Sequence, residues 1–440
     1  MKKLITLLLA VAGYVGTASA TDYWVGGNFN SDNDNWTTQQ MSDNGDGTYS
    51  LFVNLNAKNL YFGIFTGSEL DWDKNSYRPV SNGPWINNSV QEIDVLYCTD
   101  NDYNSSNYAI CYPTVESGDN WNVASAIRID FNPSTKKVSV SRFISVPNGY
   151  NGWSTTADYI PETTFGSKIY SGKVTLQADT DGRDDGFRFY YINNSAFNYG
   201  GKKTDDGDWI ASDGAASNYD VAADGVYTLT ANFNSWAWTD PVLVNVTASV
   251  GTYGMATLSS EYALDFTDIT SVKAYTITAS DKSTGELTKS LVTGKVPANT
   301  GLYIECEANA SAEVPTTIYT TSAGTNMLVP GTGAKIEQTD GDNTNYILTV
   351  NKADGTSAEN PKFFKVNSAG NTVPAGKAYL QIPTASAARE FFWFNEDVTA
   401  IDAVEQNAAV DGQAYNLAGQ RVAQPTKGLY IVNGKKYIVK

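Results

Sequence analysis

Aromatic side chains in loop-like segments rich in Asn, Asp and Gly are the residues of this chain best suited to contact a ligand. A planar ring on a rigid loop can stack on the apolar face of a pyranose, while nearby Asn, Asp and Lys side chains bind the sugar hydroxyls. The alternative is core or rim packing, which accounts for most Trp and Tyr residues in small β domains. The candidate ligand-binding residues form two groups: Trp72, Tyr77 and Trp85, and further along the chain Phe197, Tyr199 and Trp209.

Residues for catalysis or metal binding are scarce. The chain has no histidine, which excludes Ser-His-Asp and Cys-His catalysis and any zinc or haem site that uses histidine. The acidic run 179–186 lacks the spacing of a calcium-binding EF-hand loop, because Arg183 occupies the third ligand position. The whole chain has 47 acidic residues, which allow many carboxylate pairs, but no nucleophile or metal motif accompanies them. We therefore expect no enzyme activity, no metal site and no cofactor.

Two of the three cysteines, Cys98 and Cys111, bracket a short polar segment rich in tyrosine. In an oxidising compartment they could form a disulfide, leaving Cys306 alone. Three unbonded thiols are the alternative. The sequence predicts the disulfide Cys98–Cys111.

The N-terminus has the pattern of a secretory signal peptide. Lys2 and Lys3 precede an apolar run, and Ala18-Ser19-Ala20 supplies a cleavage site, so the mature chain is expected to start near Thr21. No later apolar run is long enough for a membrane span, and no cysteine near the cleavage site supports a lipid anchor. The formal net charge of −17 makes nucleic acid and anionic lipid poor partners, because both are bound chiefly through Lys and Arg.

Short runs that alternate apolar and polar residues recur along the chain, separated by Asp-Gly and Asn-Gly turns. This pattern predicts an all-β protein built from successive sandwiches. A weak internal repeat relates Tyr49-Ser50 to Tyr170-Ser171, and the closing strand at 127–132 to the one at 226–234. Two modules of roughly 100 residues explain this repeat. Aromatic residues in strand patterns are predicted to be core: Trp24, Trp36, Tyr61, Trp153 and Phe189.

The first module resembles the immunoglobulin-like starch-binding modules in outer-membrane proteins of starch-utilisation systems. The matching segments are Trp24-Val25-Gly26-Gly27, Trp36, Asp46-Gly47-Thr48-Tyr49 and Leu60-Tyr61-Phe62-Gly63-Ile64. The resemblance covers about the first quarter of the chain well and the next quarter loosely, and it implies carbohydrate binding on an immunoglobulin-like sandwich. The chain departs from that family in lacking the lipoprotein cysteine, which leaves its anchoring open.

The C-terminal segment also carries a recognisable pattern. Gly419-Gln420-Arg421-Val422, then Gly428-Leu429-Tyr430-Ile431-Val432 and Asn433-Gly434, resemble the C-terminal sorting segment of type IX secretion cargo. This resemblance implies the outer-membrane secretion machinery as a partner. The alternative is an ordinary terminal hairpin packed on its neighbour.

Together these patterns predict tandem immunoglobulin-like β-sandwich modules followed by a further β domain and a C-terminal β-hairpin segment. The expected function is binding of a neutral polysaccharide, such as starch or another α-glucan, by an exported protein at the outer-membrane surface or outside the cell. The alternative is a surface adhesin or structural surface-layer protein without glycan binding. The predicted division is a signal peptide at 1–20, modules at 21–146 and 147–241, a β domain of surface-protein type at 242–397, and the sorting-like segment at 398–440.

Overall fold

The structure is a computed structural model. It describes residues 22–29, 36–56, 59–113, 123–178, 186–193, 196–202, 209–210, 218–235, 237–351, 357–386, 389–394, 414–416, 420–422, 428–432 and 435–439. In these ranges the regular structure is β except for one 3-10 turn at Thr384–Ser386, which confirms the predicted all-β class. No helix in the same ranges is long and apolar enough to cross a membrane. The predicted signal peptide, 1–20, lies outside the described residues.

The first region folds around one core, with these strands: β1 (Trp24–Gly27), β2 (Thr37–Gln40), β3 (Ser42–Asp43), β4 (Tyr49–Asn54), β5 (Leu60–Phe65), β6 (Ser76–Pro79), β7 (Glu92–Tyr97), β8 (Ile110–Tyr112), β9 (Ala126–Asn132) and β10 (Lys137–Ser145). One layer runs β2-β1-β5-β6, with β8 also paired to β5, and the other runs β3-β4-β9-β10. Strand β7 pairs with β10 through its first half and with β6 through its second half. The sheet therefore folds over the core at β7.

Alternation along the strands places the core between these layers. On β9, Ile127, Ile129 and Phe131 are fully buried, while the intervening positions face away from the core. On β5, Phe62 and Ile64 are buried from the opposite layer. Side chains alternate between the two faces of a strand, so each layer turns one face to the core and one face outward. The two outer faces therefore lie on opposite sides of the sandwich.

The second region adds these strands: β11 (Tyr159–Pro161), β12 (Ile169–Leu176), β13 (Phe189–Asn193), β14 (Ala196–Lys202), β15 (Trp209–Ile210), β16 (Gly225–Asn232), β17 (Ala237–Trp238) and β18 (Val242–Leu243). Strand β10 pairs with both β11 and β13, so strand pairing continues across the predicted boundary between residues 146 and 147. The second core contains Ile144 of β10 together with Tyr170 and Leu229. The predicted domain limits themselves stay a prediction.

The predicted internal repeat has a counterpart in strand pairing. Strand β4 pairs antiparallel with β9, with Tyr49 opposite Phe131. Strand β12 pairs antiparallel with β16, with Tyr170 opposite Ala231. In both copies, the strand that carries the repeated Tyr-Ser pair lies beside the closing strand of its module.

The third region contains these strands: β19 (Asn245–Ser249), β20 (Met255–Leu258), β21 (Ala263–Asp265), β22 (Lys273–Ser280), β23 (Leu287–Val292), β24 (Lys295–Val296), β25 (Leu302–Glu305), β26 (Ser311–Thr317), β27 (Leu328–Pro330), β28 (Lys335–Ile336), β29 (Thr339–Asp340), β30 (Asn343–Asn351), β31 (Ser357–Lys365), β32 (Asn371–Thr372), β33 (Ala378–Pro383) and β34 (Phe391–Phe392). Two core clusters fill it, one around Leu302 and Val314 and the other around Tyr346 and Leu380.

The last sheet has the order β36-β35-β37-β38. Its strands are β35 (Ala414–Tyr415), β36 (Arg421–Val422), β37 (Gly428–Val432) and β38 (Lys435–Val439). Strands β37 and β38 pair antiparallel with Val432 opposite Lys435, which confirms the terminal hairpin. The segment 395–413 lies outside the described residues.

Candidate functional site

The outer face of strand β5 is built around a glycine. Because Phe62 and Ile64 point into the core, Tyr61, Gly63 and Phe65 lie on the other face. Gly63 pairs with Gly26 of β1. A Cβ at Gly63 would collide with the ring of Trp72, and one at Gly26 would collide with Leu70. The two glycines thus let large side chains rest directly on the sheet backbone.

Trp72 stands in the turn before β6, inside a cluster of rings. Its ring centroid lies 4.8 Å from that of Phe65, 5.7 Å from that of Trp36 and 6.4 Å from that of Tyr108, all in edge-on arrangements. The backbone carbonyl of Trp72 accepts hydrogen bonds from the hydroxyls of Tyr103, at 2.6 Å, and of Ser76. These contacts fix the position of the indole on the sheet.

The buried side chain of Arg78 contacts the rings of Trp72, Tyr103 and Tyr108. This side chain is only 2% exposed, and its guanidinium carbon lies 5.0 Å from the ring centroid of Tyr108, 5.1 Å from that of Tyr103 and 5.5 Å from that of Trp72. Nη2 donates to Asp73 at 2.7 Å, and Nη1 donates to the carbonyl of Ser105. A desolvated cation within about 6 Å of a ring face attracts that ring, so Arg78 ties the 99–109 loop to the Trp72 turn.

The loop that carries Tyr103 and Tyr108 is anchored at both ends. Asp100 accepts the backbone N–H of Tyr97 at 2.6 Å and pairs with Lys136 at 2.8 Å; the hydrogen bond from Lys136 lowers the pKa of the Asp100 carboxyl. At the other end, the amide of Asn107 donates to the carbonyls of Pro79 and Val80, both at 2.9 Å. Tyr108 itself is 59% exposed, so a fixed loop presents its ring to solvent.

Trp85 lies on the same outer face. It forms a parallel bridge with Cys111, which in turn pairs with Tyr61, two residues before Gly63 on β5. Bridged residues point to the same side of a sheet, and Trp85 is 46% exposed. We call the outer surface formed by Trp36, Trp72, Trp85, Tyr103 and Tyr108 over Arg78 the Trp72 face.

Tyr77, predicted as a ligand-binding residue, lies on the opposite side of the sheet. It pairs with Ile64, whose side chain is in the core, and its ring lies 4.7 Å from that of Phe131 and 4.9 Å from that of Tyr97. Burial raises the pKa of the Tyr77 hydroxyl well above its usual value. The prediction of a ligand contact at Tyr77 is therefore wrong, because the residue belongs to strand β6 and packs inward.

The three predicted binding residues of the second module are described by their backbone. Phe197 and Tyr199 lie on β14, opposite Ile192 and Tyr190 of β13, and Trp209 lies on β15. Their side chains lie outside the described part of the structure. Their role as ligand contacts stays a prediction.

The predicted disulfide between Cys98 and Cys111 is wrong, since both residues are present as thiols. Strand register gives the reason. Cys98 lies opposite Ser76, which pairs with Phe65, whereas Cys111 pairs with Tyr61. The four-residue offset between Phe65 and Tyr61 along β5 amounts to about 13 Å, well beyond the roughly 7 Å between Cα atoms that a disulfide can span.

Four residues of the Trp72 face were not among the predicted site residues. Trp36 was assigned to the core, yet it lies half-buried beside Trp72. Tyr103 and Tyr108 lie between the two cysteines, where the polar, tyrosine-rich composition was interpreted only as a disulfide loop. That composition is the same signal that identified Trp72. No feature of the sequence around Arg78 indicated that it would be buried beneath these rings.

The chemistry of the Trp72 face is that of a binding surface. It combines exposed aromatic rings with the carboxylate of Asp73, which is held in place by Arg78. Rings of this kind offer apolar area together with fixed geometry and low ordering cost. Among the described residues, no group of three or more Cys, Asp or Glu side chains is placed to hold a metal ion.

Comparison with known proteins gives little further information. No family model matches the sequence, and no curated protein matches it. Among solved structures, SusF from Bacteroides thetaiotaomicron is similar at 13% identity, over 68% of this chain and 73% of that chain, with a TM-score of 0.22. A superposition with so low a TM-score does not establish a shared fold, so the functional proposal rests on the geometry of this chain.

Proposed function

We propose that this chain is a non-catalytic carbohydrate-binding protein that holds a neutral polysaccharide, with an α-glucan as the first candidate, on the Trp72 face. One observation carries the proposal: exposed Trp85 and Tyr108 share an outer face with Trp72, whose ring rests on the glycine backbone of the sheet. Such rings can stack on the apolar faces of pyranoses. The sequence resemblance of the first module to starch-binding modules supports the same ligand class.

The rigidity of the surface supports a sugar ligand. Individual sugar–ring contacts are weak, so a site benefits when its side chains lose little freedom on binding. Here Arg78, Asp100 and Asn107 fix the loop that carries Tyr103 and Tyr108. The net charge of −17 favours a neutral glycan over uronic or sulfated ones, which an acidic surface repels at moderate salt.

An adhesin or structural surface protein remains the second candidate, and the placement of the aromatic rings distinguishes the two. A module whose aromatic residues all lie in the core would favour the adhesin. In the first module Tyr77 packs inward, but Trp85 and Tyr108 are exposed on one face. This division favours a glycan surface on the side of Trp72.

The cellular location follows from the two ends of the sequence. The signal-peptide pattern at 1–20 supports export, and the resemblance of the last segment to type IX sorting segments supports delivery to the outer-membrane surface or beyond. Deleting residues 411–440 should leave a folded protein in the periplasm. Normal surface levels of the truncated chain would contradict the sorting role.

Affinity electrophoresis in gels containing amylopectin, pullulan, dextran or xylan tests the proposed function on the full mature chain. We expect at least one α-glucan to retard the wild type, and Trp72→Ala and Tyr108→Ala to reduce that retardation. Each lost ring contact should cost on the order of 1–3 kcal/mol of binding free energy. Leu291→Ala is the matched control, because Leu291 is 51% exposed in the third region. If none of the four polymers retards the wild type, the adhesin becomes the better account.

A further inference from the structure

A second group of aromatic residues lies on the other outer face of the first sandwich. Phe52 of β4 is 41% exposed, and its ring centroid lies 4.8 Å from that of Tyr159 and 5.2 Å from that of Phe143, both edge-on. The hydroxyl of Tyr159 donates to the side-chain oxygen of Asn54. Strands β4, β10 and β11 supply these rings, so the cluster spans both sides of the predicted module boundary.

A polar groove continues from these rings along the same face. Phe52 pairs directly with Arg128 of β9, and Arg128 donates to the carboxylate of Asp130, with a shortest contact of 2.9 Å. Arg128 and Asp130 line a groove of about 420 Å³ with Asn44, Asp46 and Lys137.

The residues that floor this face are small. Ser141 lies between the rings and the groove, and Ser139 lines the groove itself. Both alternate along β10 with Val138 and Val140, which enter the core. The surface is therefore open, with apolar rings at one end and charged and amide groups at the other. This combination fits a polyhydroxylated ring, whose apolar face stacks on an aromatic side chain while its hydroxyls bind polar groups.

We propose that this outer face, which we call the Phe52 face, is a second binding surface for a neutral glycan, and that the chain bridges two glycan chains. The inference rests on the proposed function of the Trp72 face. The two faces lie on opposite layers of one sandwich, whose inner residues share a single core. Because sheets in a sandwich stack about 10 Å apart, one extended glycan chain cannot lie along both faces. Two separate chains can.

A two-step capture assay on the full mature chain tests the bridging. Protein is first bound to an amylopectin-coated plate, and after washing, fluorescently labelled soluble amylopectin is added. The wild type should capture the labelled polymer. Phe52→Ala should still bind the plate through the Trp72 face but capture about tenfold less labelled polymer, since loss of a central ring contact commonly weakens binding by that factor. Leu291→Ala, which removes a side chain that is 51% exposed in the third region, should behave as the wild type.

The reciprocal variant separates this inference from the proposed function. Trp72→Ala/Tyr108→Ala should also bind the plate and lose capture, while combining it with Phe52→Ala should weaken plate binding more than either change alone. Full capture by Phe52→Ala would overturn the second surface and leave the proposed function intact. Loss of all plate binding in Phe52→Ala alone, with none lost in Trp72→Ala/Tyr108→Ala, would support the Phe52 face but overturn the bridging and the assignment to the Trp72 face. If the wild type binds plates coated with none of amylopectin, pullulan, dextran and xylan, both are overturned. Sedimentation velocity must show a monomer, since capture by a dimer would also contradict bridging by one chain.

Discussion

The indole ring of Trp72 lies so close to Gly63 that a Cβ atom at position 63 would overlap the far edge of the ring. Gly63→Ala should therefore push Trp72 off the sheet without removing any aromatic residue. We expect the variant to lose as much glucan retardation as Trp72→Ala, and to lose about 1–3 kcal/mol of stability through overpacking. Affinity electrophoresis and a denaturation curve measure the two effects.

A nearby glycine provides the control for this substitution. The closest heavy atom to a Cβ at Gly67 would be the side-chain nitrogen of Asn75, at 3.7 Å, which is an ordinary contact. Gly67→Ala should keep both stability and retardation. Unchanged retardation by a folded Gly63→Ala protein would show that the position of Trp72 does not matter for binding.

Arg78 is expected to order the loop that presents Tyr108. Arg78→Met removes the hydrogen bonds to Ser105 and Asp73 and the contacts with three rings. Loss of the desolvated ring contacts should cost about 2 kcal/mol of stability. Arg78→Lys should recover part of this, because it keeps the charge but not the planar fork. Hydrogen exchange should become faster in residues 99–109 and stay slow in β9 and β10; equal protection of the loop in Arg78→Met would contradict its anchoring role.

The cysteines provide a test of the strand register. Cys98 is half-buried, whereas Cys111 is buried and lies between Trp85 and Tyr61, the residues with which it pairs. In protein purified without reductant, we expect Cys98 to alkylate first and Cys111 to react mainly after unfolding. The intact mass should show no loss of two hydrogens. A Cys98–Cys111 peptide in a non-reducing digest would contradict the pairing of β5 with β6 and β8.

A buried ion pair lies where the first two regions meet. Arg142 of β10 lies 3.7 Å from Glu162, with side-chain exposures of 0% and 2%, and its Nη1 donates to the side chain of Asn88 at 2.7 Å. Arg142→Met would leave a buried carboxylate without its cation, so we expect a loss of roughly 3–5 kcal/mol. Arg142→Met/Glu162→Leu should be closer to the wild type. Urea denaturation midpoints measure both, and an equal loss in the double variant would contradict the coupling.

The same pair predicts a dependence of stability on pH. Burial raises the pKa of the Glu162 carboxyl above its usual value of 4.5, so the folded state keeps a proton that the unfolded state has already released. Stability should therefore fall as the pH rises from about the usual pKa of a glutamate to the raised pKa of Glu162 in the folded protein. Glu162→Gln should remove this component from the stability profile. A profile identical to that of the wild type would contradict the assignment.

The local pattern of the sequence predicts where the strands lie, but it does not predict which face of the sheet every side chain occupies. Alternation along β9 and β10 identified both strands, because each has one face in a core and one outside it. Tyr77 was misplaced because its Asn- and Asp-rich surroundings suggested a loop. Its inward orientation is set by pairing with Ile64, a partner 13 residues away, which no local pattern reveals.

The candidate site was only partly predictable for the same reason. The loop-like surroundings of Trp72 and Trp85 predict ligand contacts, and that role stays a prediction, although both side chains lie on the outer face of the sheet. Trp36, predicted to be core from its neighbours in sequence, lies half-buried beside Trp72. The sequence does not predict the role of Arg78, because that role depends on three rings that come together around it from a turn and a loop. The short separation of Cys98 and Cys111 in sequence predicts a disulfide. In the structure, the strands that carry the two cysteines are aligned with different ends of β5, so the thiols lie too far apart.

The tryptophan indole N–H resonances test the central claim most directly. The chain has 10 tryptophans, so each indole can be assigned by single Trp→Phe substitutions in ¹⁵N-labelled protein. On titration with maltoheptaose, we expect the signals of Trp36, Trp72 and Trp85 to shift in a saturable manner. The signals of Trp153 and of Trp393, which forms a bridge with Glu286 in the third region, should stay fixed. If no indole signal shifts with this or other neutral oligosaccharides, or if only tryptophans outside the Trp72 face respond, glycan binding on this face is contradicted.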